Sequence, residues 1–400
     1  MHIDLLNHES FSKGHPLDQY QWLRDNEPVY WHEEPNGPGF WILSRYEDVA
    51  EVGRQPLVYS SEPTIAITDP EQGMDLSVGD HKMMLTMDPP QHTLFRKTIS
   101  REFTRGPAAE LRPRISELAA VILNKVIDAN ECEFVSQVAG ELPSYVIADL
   151  MGIPLEDGRE LYKLTEIIHS AADTLPENAQ AEAIMKMFEY AQTVYRAKRA
   201  DAGNDLASQI VHAEVDGRRL DEIDFQLFFL LLIDAGGDTT RNLVAGGLHQ
   251  LISHPDQLAG WQNHRSDKLD TSARDELLRF VSPVIYMRRT LKQDVELHGK
   301  SLKAGDKAVR YFGAANFDER QFEQPEQLNL SRFPNQQIAF GTGTHVCLGQ
   351  HIARVEIDCM FHEILSRMTD FHLPEEPTWL ESNFISGIKH MPLEFSKRLT

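Results

Sequence analysis

The chain has 400 residues, 41% of them hydrophobic, and 61 acidic residues against 39 basic ones give a formal net charge of -22. An acidic surface of that size disfavours nucleic acid or an anionic membrane as partner. Three cysteines (Cys132, Cys347, Cys359), odd in number and without CxxC spacing, argue against a disulfide framework and for a reducing cytoplasm.

The N-terminal stretch MHIDLLNHESFSKGHPLDQY carries no apolar core of signal-peptide length. The most apolar run, Leu227 to Ile233, ends at Asp234, far short of the roughly 20 residues needed to span a bilayer. A soluble cytoplasmic protein without a membrane anchor is expected. In chain order, a short helix is predicted over 17–26. Strands follow at 29–32 and 39–43, joined by the turn Pro35-Asn36-Gly37-Pro38, then a helix near 46–54. Residues 55–90 are irregular. From 107 to 200 the pattern is mostly helical, with breaks at Pro143, Gly152-Ile153-Pro154 and Leu175 to Asn178. After a turn at Asp216-Gly217-Arg218, one long helix runs over 220–253. Its first half is apolar nearly all round, which predicts a buried central helix. Helices near 256–263 and 272–280, short strands over 285–335 and a helix over 350–368 complete the chain. Without repeats or linker-like composition, the expectation is one mostly α domain with small β-sheets, spanning residues 1–400.

The densest chemistry lies in Phe340-Gly341-Thr342-Gly343-Thr344-His345-Val346-Cys347-Leu348-Gly349. A cysteine between glycines, just ahead of a helix, has few steric neighbours. Its thiolate can accept backbone N–H bonds and is favoured by the helix dipole, which suits a metal centre approaching the backbone closely. In the long helix, Ala235-Gly236-Gly237-Asp238-Thr239-Thr240 sets two costly glycines beside an acid followed by an alcohol, a plausible proton-delivery pair. Glu276 and Arg279 are spaced i,i+3 and share a helix face. Asp88-Pro89-Pro90 precedes His92 and Arg96, spaced i,i+4, and Met287-Arg288-Arg289-Thr290 brings two further arginines.

These segments, in this order and at these separations, resemble the cytochrome P450 family of haem-thiolate monooxygenases. Four positions of the loop (Phe340, Gly343, Cys347, Gly349) match, on the order of once in a thousand by chance. The resemblance covers essentially the whole chain and implies the P450 fold. It places haem b between the long central helix and the helix of the cysteine loop, with Cys347 as iron ligand. It implies Gly236, Phe340 and Gly349 against the cofactor, and His92, Arg96, His345 and Arg289 on the propionates, with Arg288 one residue away as the alternative to Arg289. It implies Asp238 and Thr239 as the proton-handling pair, and Glu276, Arg279 and Arg332 as a structural clamp. Asn316-Phe317-Asp318-Glu319 departs from the family, where an arginine more often follows the asparagine.

With no G-x-G-x-x-G in the chain, electrons from NAD(P)H are expected only indirectly, through a reductase and a ferredoxin. The basic stretch Arg96, Lys97, Arg101, Arg105, Arg112, Arg114 resembles the ferredoxin-docking face of bacterial members. Phrases such as Val284 to Thr290 and Asn383 to Lys389 resemble members acting on alkyl, isoprenoid or sterol side chains. The expectation is a monomeric enzyme that inserts one oxygen atom from O2 into an apolar small molecule. Pocket walls are expected from Leu76, Val78, Ile233, Val284, Ile285 and Phe384, with gating segments near 60–87 and 171–180. A peroxide-driven hydroxylase and a haem protein that only binds or senses are the alternatives. The retained Asp238-Thr239 pair speaks against both.

Overall fold

The computed structural model describes residues 1–71, 77–169 and 175–398. Helices dominate, and the sheets are small. One sheet has five strands: β1 (Val29–His32), β2 (Phe40–Leu43), β3 (Tyr59–Ser60), β4 (Tyr286–Leu291) and β5 (Lys307–Tyr311), in the order β1-β2-β5-β4-β3. β5 runs parallel to β2, with Val309 opposite Ile42, and antiparallel to β4, with Ala308 opposite Arg289 and Val309 opposite Arg288. A second sheet joins Glu131–Glu133, Pro392–Lys397 and Met368–His372.

The long helix is present as one element, Glu222–Ser253. Asp221 caps it, accepting from the N–H groups of Ile223 and Asp224 at 3.0 Å, while the Asp224 carboxylate accepts from the Asp221 N–H at 3.1 Å. Its apolar run is buried on all sides: Phe225, Phe228, Phe229, Leu230, Leu231, Leu232 and Ile233 belong to the main core. The helix predicted near 272–280 is longer, Asp267–Val281, because the Ser266 hydroxyl caps it by accepting from the Leu269 N–H at 3.3 Å. The helix after the cysteine loop is Gln350–Arg367. Within the irregular stretch 55–90 the described residues hold β3, a one-turn helix at Met84–Thr86 and a small bridge between Val78 and His81.

Glu276 and Arg279 are fully buried. Arg279 meets both carboxylate oxygens at 2.8 and 2.9 Å, and Arg332 Nε adds a bond at 3.0 Å. The Asn329 N–H and Asn335 Nδ2 also donate to Glu276, both at 3.0 Å. Arg279 in turn donates to the Asn316 carbonyl at 2.8 Å. This clamp fastens the 267–281 helix to the segment leading into the cysteine loop. Removing a buried carboxylate that answers two guanidinium groups costs about 3–5 kcal/mol. Glu276→Ala should therefore lower the unfolding free energy measured by denaturant titration by that margin. A loss below about 1 kcal/mol would show that the clamp does not hold the fold.

Candidate active site around Cys347

The cysteine loop is shaped by two tight points. Gly343 has φ +78°, and a Cβ there would lie 1.7 Å from the Gly53 carbonyl oxygen, so the loop crosses the Tyr46–Arg54 helix at a spot only glycine allows. The Cys347 N–H then donates to the Phe340 carbonyl at 2.8 Å, closing the loop on itself. Burial pushes the Cys347 thiol up. The backbone N–H groups of Gly349 and Gln350, with Arg96 and Arg354 nearby, pull it back toward the anion. A Cβ added at Gly349 would meet no protein atom within 4 Å, so the side of the loop next to the sulfur is left open. Every residue from Phe340 to Gln350 is half-buried or exposed, in the middle of a buried core.

Around this opening the chain gathers cations. Arg289 is 4% exposed, donates to the Arg288 carbonyl at 2.8 Å, and makes no ion pair among the described residues. Burial pulls its pKa down to about 10. Arg96 turns inward and donates to the Val346 carbonyl at 2.7 Å. His92 and His345 stack with ring centres 3.9 Å apart, and His92 Nδ1 is buried without a hydrogen-bond partner among the described residues. His345 Nε2 lies 3.1 Å from Ser61 Oγ. The alternation of β4 separates the two neighbouring arginines. Arg288 faces away and pairs with Asp69 at 2.5 Å, so Arg289 is the one beside His92 and His345. Two residues that sequence reasoning missed join the group. Arg310, fully buried on β5, bonds the Thr342 hydroxyl at 2.8 Å, and Arg354 covers the Phe340 ring at 4.5 Å. An inward-facing basic residue on a strand gives no pattern that separates it from a surface one.

The central helix packs on the cysteine-loop helix. Ala235 is exposed and Thr239 half-exposed, one turn apart on the same face, and the Thr239 hydroxyl donates to the Ala235 carbonyl at 3.3 Å. Asp238 points elsewhere: it is 4% exposed and pairs with Arg241 at 2.7 Å. Gly236 also serves another face. A Cβ there would meet Ile147 at 3.3 Å, so its missing side chain admits the neighbouring helix Glu141–Met151. Behind the helix, buried Glu356 accepts from the Thr240 hydroxyl at 3.3 Å, and burial pushes its carboxyl up to about 8.

The expected pocket walls divide. Leu76 lies outside the described residues, as do parts of both expected gating segments. Val78 is 37% exposed on a bridge held at the start of the central helix, where His81 lies 3.1 Å from Asp224, about 20 Å along the helix from Thr239. Ile285 is fully buried in the cluster that holds Tyr20, Phe40 and Tyr311, so it cannot line an opening. Its N–H is taken by the Phe384 carbonyl at 2.9 Å, and Phe384 packs edge-on to Tyr286. Val284 is half-buried, and Ile233 is buried in the main core. The basic stretch is thinner than the sequence suggests. Arg112 pairs with Asp358 at 2.9 Å and Arg114 with Glu117 at 2.8 Å, leaving Lys97, Arg101 and Arg105 exposed.

A cysteine sulfur with N–H donors, an open side beside it, and buried cations lacking carboxylates fit a flat dianionic metal cofactor. Comparison with known proteins gives the same answer. The Cytochrome P450 family model matches residues 271–391. A steroid C26-monooxygenase of Mycolicibacterium smegmatis is 34% identical over 393 residues, 95% of this chain and 91% of that protein. The chain belongs to the cytochrome P450 family. A methyl-branched lipid omega-hydroxylase of Mycobacterium tuberculosis is 37% identical over 369 residues, 90% of this chain and 85% of the relative. A Mycobacterium marinum cytochrome P450 solved with pseudoionone superposes with TM-score 0.88 at 33% identity, covering 95% of this chain and 94% of that one. The protein is therefore a P450 monooxygenase with the P450 fold, a haem enzyme using O2, and it resembles bacterial members named for steroids and lipids. No helix among the described residues is long and apolar enough to cross a membrane.

His92 reports the local charge. Burial, then the charges of Arg96 and Arg289, lower it to about 4, against a small upward pull from Asp88. The unfolded chain then binds more protons than the folded one between pH 6.5 and 4, so stability falls as pH drops through that window. The loss attributable to His92 in the haem-free chain approaches roughly 3 kcal/mol at pH 4. Urea unfolding at pH 7 and pH 4.5 should show a smaller pH dependence in His92→Asn than in the parent. An equal slope in both would remove His92 as the source.

Proposed function

We propose that the protein holds haem b through Cys347 and inserts one oxygen atom from O2 into an apolar steroid- or lipid-like molecule. The observation that carries this reading is the loop at Cys347: an N–H-bonded sulfur with an open side beside it, ringed by Arg96, Arg289, His92 and His345. When bound, a thiolate-ligated haem supplies O–O cleavage and oxygen transfer. The chain's own part is to bind, orient and deliver protons. Arg96, Arg289, His92 and His345 would hold the propionates, with Arg310 steadying the loop through Thr342. Phe340, fixed under Arg354 and bonded to the Cys347 N–H, keeps the sulfur in place, and Gly349 leaves the cofactor room. Thr239 lies on the open face of the central helix and would pass a proton toward it, with Asp238 as the acid behind it. Val284, half-buried just before β4, and Phe384, packed edge-on to Tyr286, would contribute to the pocket wall. The steroid and lipid relatives named above support the substrate class.

The test is spectroscopic. The reduced carbon monoxide adduct of the parent should show the absorption band that names the family. Cys132→Ala and Cys359→Ala should keep that band, and Cys347→Ala should lose it. A band retained in Cys347→Ala would sink the assignment.

We further infer a monomeric, single-domain, cytoplasmic enzyme that draws electrons from NAD(P)H through a reductase and a ferredoxin. Supporting this, Lys97, Arg101 and Arg105 are exposed cations in a chain of net charge -22, and the Arg105–Glu110 helix packs on the cysteine-loop helix. Steered association weakens as the Debye length shrinks from about 10 Å at 0.1 M salt to about 3 Å at 1 M. Charge reversal at Arg101 or Arg105 should slow reduction by an acidic ferredoxin and flatten its salt dependence. Reversal at Arg112, already paired with Asp358, should do less. Unchanged rates in the Lys97, Arg101 and Arg105 variants would place docking elsewhere.

A further inference from the structure

A second opening lies away from the cysteine loop. It is a cavity of about 110 Å³ set against Asn242, Gly246 and Gln250, which are spaced i, i+4, i+8 on one face of the second half of the central helix. The end of the 267–281 helix, the N-terminal segment at Lys13–Leu17 and the hairpin that pairs Thr378–Trp379 with Ile388–His390 close it. None of its lining residues belongs to the cysteine loop, to the cations around that loop or to the Ala235–Thr239 turn.

Some of its polar walls are already committed. His15 Nε2 lies 3.0 Å from the carbonyls of Val281 and Ser282, and Nδ1 lies 3.3 Å from the Tyr20 hydroxyl. Asn242 Oδ1 accepts from Arg241 Nε at 3.2 Å, and Nδ2 donates to Asp238 at 3.3 Å. Gly14, at φ +93°, lets the N-terminal segment reach the hairpin, since a Cβ there would lie 3.1 Å from the Trp379 ring. These groups hold the walls together and have nothing left to offer.

Three polar side chains on the wall are not committed. Lys13, Gln250 and Ser386 make no side-chain hydrogen bond or ion pair among the described residues. Lys13 is exposed and stands at the rim. Ser386 is 5% exposed; its N–H is taken by the Pro283 carbonyl at 2.7 Å, and its hydroxyl is left over. A hydroxyl so enclosed ordinarily has a partner. The charge of the lining is equally selective. In a chain with 61 acids and 39 basic residues, no acid lines this cavity, and Lys13 is its one lysine or arginine.

We propose that this cavity is a second ligand site, which takes a small monocarboxylate with an apolar body of about one ring. The body lies against Trp379, Phe280 and Phe317. Lys13 answers the carboxylate, and the Ser386 hydroxyl and Gln250 amide supply hydrogen bonds. One lysine matches one negative charge, which a carboxylate carries and a phosphate exceeds. Size sets the upper limit on the body. An enclosed apolar cavity of roughly 150 Å³ holds a benzene, so this smaller one takes a single ring only with its polar end directed out toward the rim. The site does not depend on the haem reading, because the two openings share no residue.

The experiment is fluorine NMR of para-fluorobenzoate added to the haem-loaded protein. With the parent its resonance should shift saturably. Lys13→Glu, a change at an exposed position, should weaken binding about fivefold or more. Ser386→Ala, which removes only the hydroxyl, should weaken it by about fivefold. Para-fluorobenzyl alcohol, which keeps the ring and loses the charge, should bind the parent and Lys13→Glu alike. Both variants should keep the reduced carbon monoxide band of the parent. Equal dissociation constants for the parent and both variants, or no saturable shift with the parent, would overturn the site. Loss of the carbon monoxide band in either variant would make the cavity part of the haem site and would overturn it as well.

Discussion

Positive charge buried without a carboxylate is the constraint around which this site is built. Arg289 and Arg310 are nearly or wholly enclosed, and Arg96 turns inward, in a chain with 22 more acids than bases. Elsewhere the protein pairs its buried cations. Arg279 and Arg332 share Glu276, Arg288 takes Asp69, Lys307 takes Glu34 and Asp69, and Arg241 takes Asp238 and Glu166. Leaving three arginines with backbone carbonyls or a hydroxyl as their only partners among the described residues, when acids are abundant, is stable only if an anion from outside the chain completes them. Their convergence on the cysteine loop says where that anion must sit.

Holding such a cluster open requires the surrounding scaffold to be rigid. The clamp at Glu276 ties the 267–281 helix to the segment from Asn329 to Asn335, and from there the chain runs directly into the loop. On the other side, the contact of Gly343 with Gly53 fixes the loop to the Tyr46–Arg54 helix, and Thr342 is shared between the Ala50 carbonyl and Arg310. The sulfur is thereby positioned by backbone and buried charge, and not by the packing of its own small side chain.

Much of this was legible in the chain. The long helix, the first strands and the cysteine-loop helix follow from periodicity and turn residues, which are local properties. The cysteine and the order of the motifs pointed to the site because glycine spacing around a thiol is rarely accidental. What could not be read is partner choice. Two adjacent arginines on β4 are equivalent in sequence, and only the pleat sends Arg288 to Asp69 and Arg289 to the histidines. Ile285 has the composition of a pocket wall, yet β5 and the N-terminal segment cover it, a tertiary fact. Arg112 reads as a free surface charge until the fold brings Asp358 to it.

The pair of glycines in the central helix shows how one segment serves two opposed faces. At the sequence level the gap they leave belongs to a ligand. In the fold, Gly236 admits Ile147 and Gly237 admits Tyr162, so both gaps are filled by neighbouring helices. Those helices can then approach closely enough for Tyr162 to lie under Arg241 and for Glu166 to reach it. Ala235 and Thr239, a methyl and a hydroxyl one turn apart, lie on the open face. A carboxylate on that face would have to be desolvated against an apolar substrate. Placed one residue away, on the face the glycines have opened, Asp238 finds Arg241 and Asn242 instead. The glycine cost of roughly 1 kcal/mol each is thus what allows a buried acid to stand next to an apolar opening without facing it.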